Sequence, residues 1–112
     1  MAEAARRPAA LAGLLAVLIA PAAAGVDAQR AAELRHLLRQ DCGACHGLTR
    51  KGGLGPALLP ERLRGRSDAE LARIILDGVP GTPMPPWRGL ISEEDARWLV
   101  GALRRAPGAE ED

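Results

Sequence analysis

The chain has 112 residues and a formal net charge of +1. That is enough for one domain, and too balanced for a nucleic acid or an anionic membrane to be its main partner. Hydrophobic residues make up 47%, yet the only aromatics are two tryptophans. Aromatic rings normally supply much of a small core, so a chain this short needs another source of apolar bulk, such as a metal or a cofactor.

Residues 1–24 carry the pattern of an export signal. Arg6 and Arg7 precede the apolar run "AALAGLLAVLIA" (9–20), and Pro21 and small residues follow. The run is shorter than the about 20 residues of a spanning helix. Cleavage fits after Ala24 or after Ala28; removal of residues 1–24 takes away Arg6, Arg7 and Glu3 and leaves a net charge of zero. Export places two thiols in an oxidising compartment, where they would join in a disulfide unless other chemistry consumes them.

Helical spacing predicts a first helix over 27–41, apolar on Ala31, Leu34, Leu37 and Leu38 and ending just before Cys42. The stretch 60–65 offers at most one helical turn. A helix over 67–78 starts with a capping-box pair, Ser67 and Glu70, stops at Gly78, and is apolar on Leu71, Ile74 and Ile75. The last helix, 92–105, starts at Ser92, carries Glu93, Glu94 and Asp95 in its first turn and ends with Arg104 and Arg105, an order that complements the helix dipole. Its apolar face is Ala96, Leu99, Val100 and Leu103, with Trp98 beside it. Glycine- and proline-rich loops fill 47–60 and 77–90, and no segment alternates as a strand should. The acidic tail 106–112 is expected to be flexible. The fold class is all-α, one domain over 28–105 whose long loops must wrap something.

The stretch "DCGACHG" (41–47) holds both cysteines. A thioredoxin-like redox pair wants a βαβ context, which is missing. A structural zinc site wants four ligands, and beyond Cys42, Cys45 and His46 only His36 remains. C-x-x-C-H reads instead as a c-type haem attachment site. Two thiols three residues apart on a helical turn reach the two vinyl groups of a porphyrin, and His46 then lies under the iron. One covalent haem c also supplies the missing aromatic bulk. The candidate distal ligand is Met84, the only methionine left after signal removal, 38 residues beyond His46. Pro83, Pro85 and Pro86 stiffen its loop, so a weak thioether ligand loses little entropy on binding. His36 reads as a helix-surface residue. Trp87 and Trp98 are candidates for core or haem-pocket packing, and Arg50, Lys51 and Arg88 are candidate docking charges near the ligand loops.

Over about residues 28–105 this order resembles the class I cytochromes c: helix, C-x-x-C-H, a G-x-G-P-x-L loop (53–58), helices, a methionine loop and a last helix. The resemblance implies the cytochrome c fold, with the Pro56 carbonyl accepting a hydrogen bond from His46 and Leu58 in the same pocket. It also implies that the first and last helices cross, with Ala31, Ala32, Gly101 and Ala102 as candidates for close approach. Two longer stretches, "LLRQDCGACHGLTRKGGLGPALLPERL" and "ILDGVPGTPMPPW", resemble the c55X (NirC-type) family encoded with cytochrome cd1 nitrite reductases. That resemblance implies a monomeric periplasmic electron carrier of denitrification, not an enzyme. Its implied partner is the cytochrome cd1 nitrite reductase or a haem d1 maturation protein. One departure is that no tyrosine is present to hydrogen-bond the methionine sulfur. A second reading stays open, a ligand-binding sensor or peroxidatic haem protein in which Met84 leaves the iron.

Overall fold

The computed structural model describes residues 3–19 and 25–109. Its helices are α1 (Ala28–Leu37), α2 (Gly43–His46), α3 (Pro60–Leu63), α4 (Asp68–Asp77) and α5 (Glu93–Leu103), and no strand occurs among the described residues.

Asp27 caps α1, its carboxylate accepting the Arg30 N–H at 2.7 Å. The helix does not stop before Cys42 as expected. A π-helical turn, Leu38–Cys42, carries it straight into α2. No glycine or proline interrupts the chain before Gly43, and the helical run ends only at Gly47, whose φ of +87° a side chain would resist. Single π turns are frequent at functional sites. Within this one Leu38 joins Leu34 of α1 in the core, and Cys42 packs against the margin.

In α4 the Ser67 hydroxyl accepts the Glu70 N–H at 3.1 Å. The Glu70 carboxylate turns to Arg66 at 2.9 Å, so the expected reciprocal half of the capping box is replaced by an ion pair one turn apart. The buried face is Leu71, Ala72 and Leu76, rotated from the expected stripe, and Ile74 and Ile75 are half-buried. The rotation follows from packing on α5, the main helix-to-helix contact of the fold.

The capping box expected on α4 is found complete on α5. Asp95 N–H donates to Ser92 Oγ and Ser92 N–H donates to Asp95 Oδ2, both at 3.0 Å. The buried Asp95 carboxylate also accepts from Arg30 of α1 through Nε at 3.2 Å and Nη2 at 2.8 Å. The Arg30 guanidinium holds that carboxyl below the usual carboxylate range. The tie is therefore fully present at neutral pH and is lost only as pH falls through the lowered value.

The expected face of α5 is buried, with Ala102 added to it. Of the four residues expected at the crossing of α1 and α5, Ala31 and Ala102 are buried while Ala32 and Gly101 point outward. Nothing lies within 4 Å of a Cβ built on Gly101, so its lack of a side chain serves no close approach. Arg104 does not serve its own helix end. Its guanidinium donates to the Leu63 and Arg66 carbonyls at 2.7 and 2.6 Å and to Asp68 at 3.0 Å, closing the end of α3 onto the start of α4.

The core is aliphatic: Leu34, Leu38, Leu63, Leu71, Leu76, Ile91, Leu99, Val100 and Leu103 with small alanines between them. Residues 3–19 are exposed and non-helical, and among the described residues no helix is long and apolar enough to cross a membrane. The expected cleavage point after Ala24 lies outside the described residues, as does the end of the acidic tail, 110–112. The described part of that tail folds back, Pro107 and Gly108 lining a cleft of about 220 Å³ with Leu38, Arg39, Leu48 and Arg50.

Candidate functional site

Cys42 and Cys45 are half-buried and form no disulfide. Burial pushes the Cys42 thiol up to about 11. His46 closes α2, and the loop after it turns back beneath the helix. Gly52 N–H donates to the His46 carbonyl and Gly55 N–H to the Cys45 carbonyl, both at 2.8 Å. These bonds satisfy helix-end carbonyls that have no partner within the helix. They also bring the Pro56 carbonyl to 2.7 Å from His46 Nδ1. A carbonyl only accepts, so Nδ1 carries the proton and the Nε2 lone pair is left for another partner. The imidazole packs directly on Gly55, where an added Cβ would lie 2.8 Å from Cε1 and 2.9 Å from Nδ1. The expected Pro56–His46 contact is thus present in the fold.

The second loop, 78–88, is tied at both ends to the last turn of α4. Gly78 N–H donates to the Ile74 carbonyl at 2.8 Å, Trp87 N–H to Ile75 at 3.2 Å and Arg88 N–H to Leu76 at 3.0 Å. Across the loop, Val79 N–H donates to the Met84 carbonyl at 3.2 Å. Thr82 Oγ1 donates to the Val79 carbonyl at 2.7 Å and accepts the Met84 N–H at 3.3 Å. The chain at Met84–Pro86 passes directly over Gly78, whose φ is +67° and whose added Cβ would lie 2.6–2.8 Å from Met84 O, Pro85 C and Pro86 N. Arg88 Nε donates to Asp77 at 2.8 Å, pinning the two ends of the loop together and holding the Asp77 carboxyl below its usual range. Met84 is half-buried within this frame.

The other expected residues divide. Leu58 and Trp87 are half-buried at the core margin beside the two ligand loops, as is Trp98, whose ring lies 6.0 Å from the Arg35 guanidinium. His36 is exposed on α1, and Lys51 is exposed. Arg50 is not a docking charge. It is 5% exposed, and its guanidinium donates to the Ala102 and Arg105 carbonyls at the end of α5. Arg88 is exposed but paired with Asp77, and lies 3.6 Å from Glu93, so it presents little unbalanced charge. Gly78 was expected as a helix stop and Gly55 as part of the G-x-G-P-x-L loop; the structure adds that His46 packs on Gly55 and the Met84–Pro86 chain on Gly78. Nothing in the sequence marked Thr82.

The donor set fits a haem better than a bare ion. Among the described residues no three His, Cys, Asp or Glu side chains gather as a metal site. One imidazole has its tautomer fixed and one thioether sits on a stiff loop, with half-buried apolar side chains, Cys42, Leu58, Ile75 and Trp87, at the core margin.

Residues 29–101 match the family model described as cytochrome c oxidase, cbb3-type, subunit III. The chain is 64% identical over 77 residues to cytochrome c55X of Pseudomonas aeruginosa, a match spanning 69% of this chain and 65% of that protein. It is 54% identical over 94 residues to cytochrome c55X of Paracoccus denitrificans, spanning 83% of this chain and 91% of the relative. The chain belongs to the cytochrome c55X family.

Among solved structures, the c-type cytochrome NirC aligns with a TM-score of 0.69 at 61% identity, covering 70% of this chain and 93% of that one. The dihydro-heme d1 dehydrogenase NirN aligns with a TM-score of 0.61 at 43% identity, covering 66% of this chain and 16% of the larger protein. The c55X fold expected from the sequence is therefore the fold found, all-α and of the cytochrome c type. Its cofactor is covalently bound haem c, for which Cys42 and Cys45 supply the C-x-x-C-H pattern.

Proposed function

We propose that this chain is a periplasmic one-electron carrier of denitrification whose haem c is anchored by Cys42 and Cys45 and ligated by His46 and Met84. The observation that carries this reading is that both ligand loops are tied down by the ends of the helices they follow. Gly52 and Gly55 bond back to α2, and Gly78, Trp87 and Arg88 bond back to α4.

When bound, haem c supplies a one-electron Fe(III)/Fe(II) couple, which His/Met ligation sets at a high potential. The chain does the rest. The Pro56 carbonyl accepts a hydrogen bond from His46 Nδ1–H, which would leave Nε2 free to hold the iron and raise its basicity. Thr82 and Gly78 hold the methionine loop in one conformation, so little rearrangement accompanies a change of oxidation state. His46 and Met84 would both hold the iron and leave no position for a substrate, which fits a carrier rather than an enzyme. The alternative, a sensor or peroxidatic protein, needs Met84 to leave readily, and the bonds closing loop 78–88 work against that.

Export fits the signal pattern of residues 1–24. Cleavage after Ala24 leaves the Asp27 cap on α1, whereas cleavage after Ala28 would remove it. The c55X relatives and the likeness to a dihydro-heme d1 dehydrogenase support a partner in nitrite reduction, either the cytochrome cd1 reductase or a haem d1 maturation protein.

Rapid mixing of the reduced, mature holoprotein with oxidised cytochrome cd1 nitrite reductase tests this reading. We expect oxidation of one haem per electron delivered, with no turnover of nitrite by the carrier alone. Exchange only with a haem d1 maturation dehydrogenase would reassign the partner. Exchange with neither would remove the denitrification role.

A further inference from the structure

Arg50 combines two costly features that electron carriage does not use. Among the described residues it is the one non-glycine with a positive φ, +62°, in a region that a residue with a Cβ avoids. It also buries a guanidinium, at 5% exposure, which is unfavourable unless the charge is held by hydrogen bonds. The surrounding structure must over-determine this conformation for it to persist.

The side chain reaches the end of α5. The last carbonyls of a helix lack intrahelical partners and carry partial negative charge, and α5 has no basic residue in its own last turn. Arg50 Nη1 takes that place, donating to the Ala102 carbonyl at 3.2 Å and the Arg105 carbonyl at 3.3 Å. The backbone of Arg50 meanwhile closes the loop under His46. Its N–H donates to the Gly47 carbonyl and its carbonyl accepts the Leu58 N–H, both at 2.9 Å. Within the segment from Arg50 to Leu58 lie Gly52 and Gly55, which cap α2, and Pro56, which accepts the His46 proton. Arg50 is therefore where the His46-holding loop is fastened to the last helix.

We propose that Arg50 is a positioning residue for the proximal ligand, its guanidinium anchoring loop 47–59 to the C-terminal end of α5 so that the Pro56–His46 hydrogen bond depends on how that helix is docked. This rests on the assignment of His46 as an iron ligand. It gives α5, which contributes no ligand, a hold on the electronic character of the imidazole, because a shorter Nδ1–H···O bond makes the imidazole a stronger donor.

The test is proton exchange in the ferrous holoprotein, followed by NMR at the His46 Nδ1 proton and, as an internal reference, at the core amides of Leu34 and Leu99. In Arg50→Ala the Nδ1 proton should exchange at least about tenfold faster while the core amides do not change, a local loosening rather than global unfolding. Arg50→Gly should loosen the proton to the same degree, although glycine favours the left-handed backbone; this separates the guanidinium from the turn. Arg50→Lys, which keeps a cationic donor, should restore part of the protection, and Lys51→Ala should change nothing.

Wild-type exchange in Arg50→Ala or Arg50→Gly would overturn the proposal, as would acceleration shared equally by the core amides. Wild-type holoprotein without a low-spin histidine signature would instead overturn the His46 assignment, and this proposal with it.

Discussion

Replacing Gly78 by alanine is expected to abolish methionine ligation while leaving haem attachment intact. An added Cβ would fall 2.6–2.8 Å from three backbone atoms of Met84, Pro85 and Pro86. Those atoms belong to a proline-stiffened chain tied at both ends to α4, so they cannot swing away as a side-chain tip would. Alanine would also resist the φ of +67°. Each effect alone costs on the order of 1 kcal/mol or more, and the steric one is the larger. The simplest relief is for loop 78–88 to lift, which would carry Met84 away from the iron it is proposed to hold. A thioether is a weak ligand, held in place by its loop more than by its bond, so the loss should be nearly complete. The ferric variant should lose the far-red methionine-to-iron charge-transfer band. Its midpoint potential should fall, since methionine ligation raises it. Cys42, Cys45 and His46 lie on the π turn and α2, away from this loop, and should keep the haem bound. A Gly78→Ala protein with an intact charge-transfer band would show that the loop accommodates a side chain there.

The double substitution Cys42→Ala with Cys45→Ala is expected to leave a mostly disordered chain. The buried core is aliphatic, and both tryptophans sit only half-buried at its margin with Cys42, Leu58 and Ile75. Domains of this size rarely hold more than about 3–5 kcal/mol from a single core. A group that binds only the folded state therefore supplies a large part of the stability. Without thioethers no covalent bond fixes that group to the chain, and the half-buried margin loses its lasting cover. Circular dichroism should show little helix and no sharp melt. A cooperative thermal transition like that of the wild-type holoprotein would mean that the aliphatic core of α1, α4 and α5 suffices by itself.

Local signals made the element order legible. Ser67 and Ser92 mark their helix starts, the apolar face of α5 follows simple periodicity, and "CGACH" marks the haem attachment. What stayed hidden depends on where two distant segments meet. The π turn at Leu38–Cys42 breaks no composition rule, because a turn of five residues uses the same side chains as α-helix. Glu70 had two equally suitable partners, the Ser67 backbone and Arg66, and periodicity does not choose between them. Arg30 and Asp95 are 65 residues apart. Arg50 read as a surface cation because most arginines are exposed. Its burial becomes apparent only once the last turn of α5 is seen to lack a basic residue of its own. Gly101 erred the other way, small enough for a helix crossing but facing open space.

On the proposed reading, His46 and Met84 together occupy the iron and leave it no substrate site. The most direct measurement is the absorption spectrum of the ferric mature holoprotein beside that of Met84→Ala, each followed after addition of cyanide. The wild type should be low-spin, show the methionine-to-iron band and bind cyanide slowly, while Met84→Ala loses the band and binds at once. A wild-type protein that rests high-spin and takes up cyanide as fast as Met84→Ala would contradict the account and favour the ligand-binding reading.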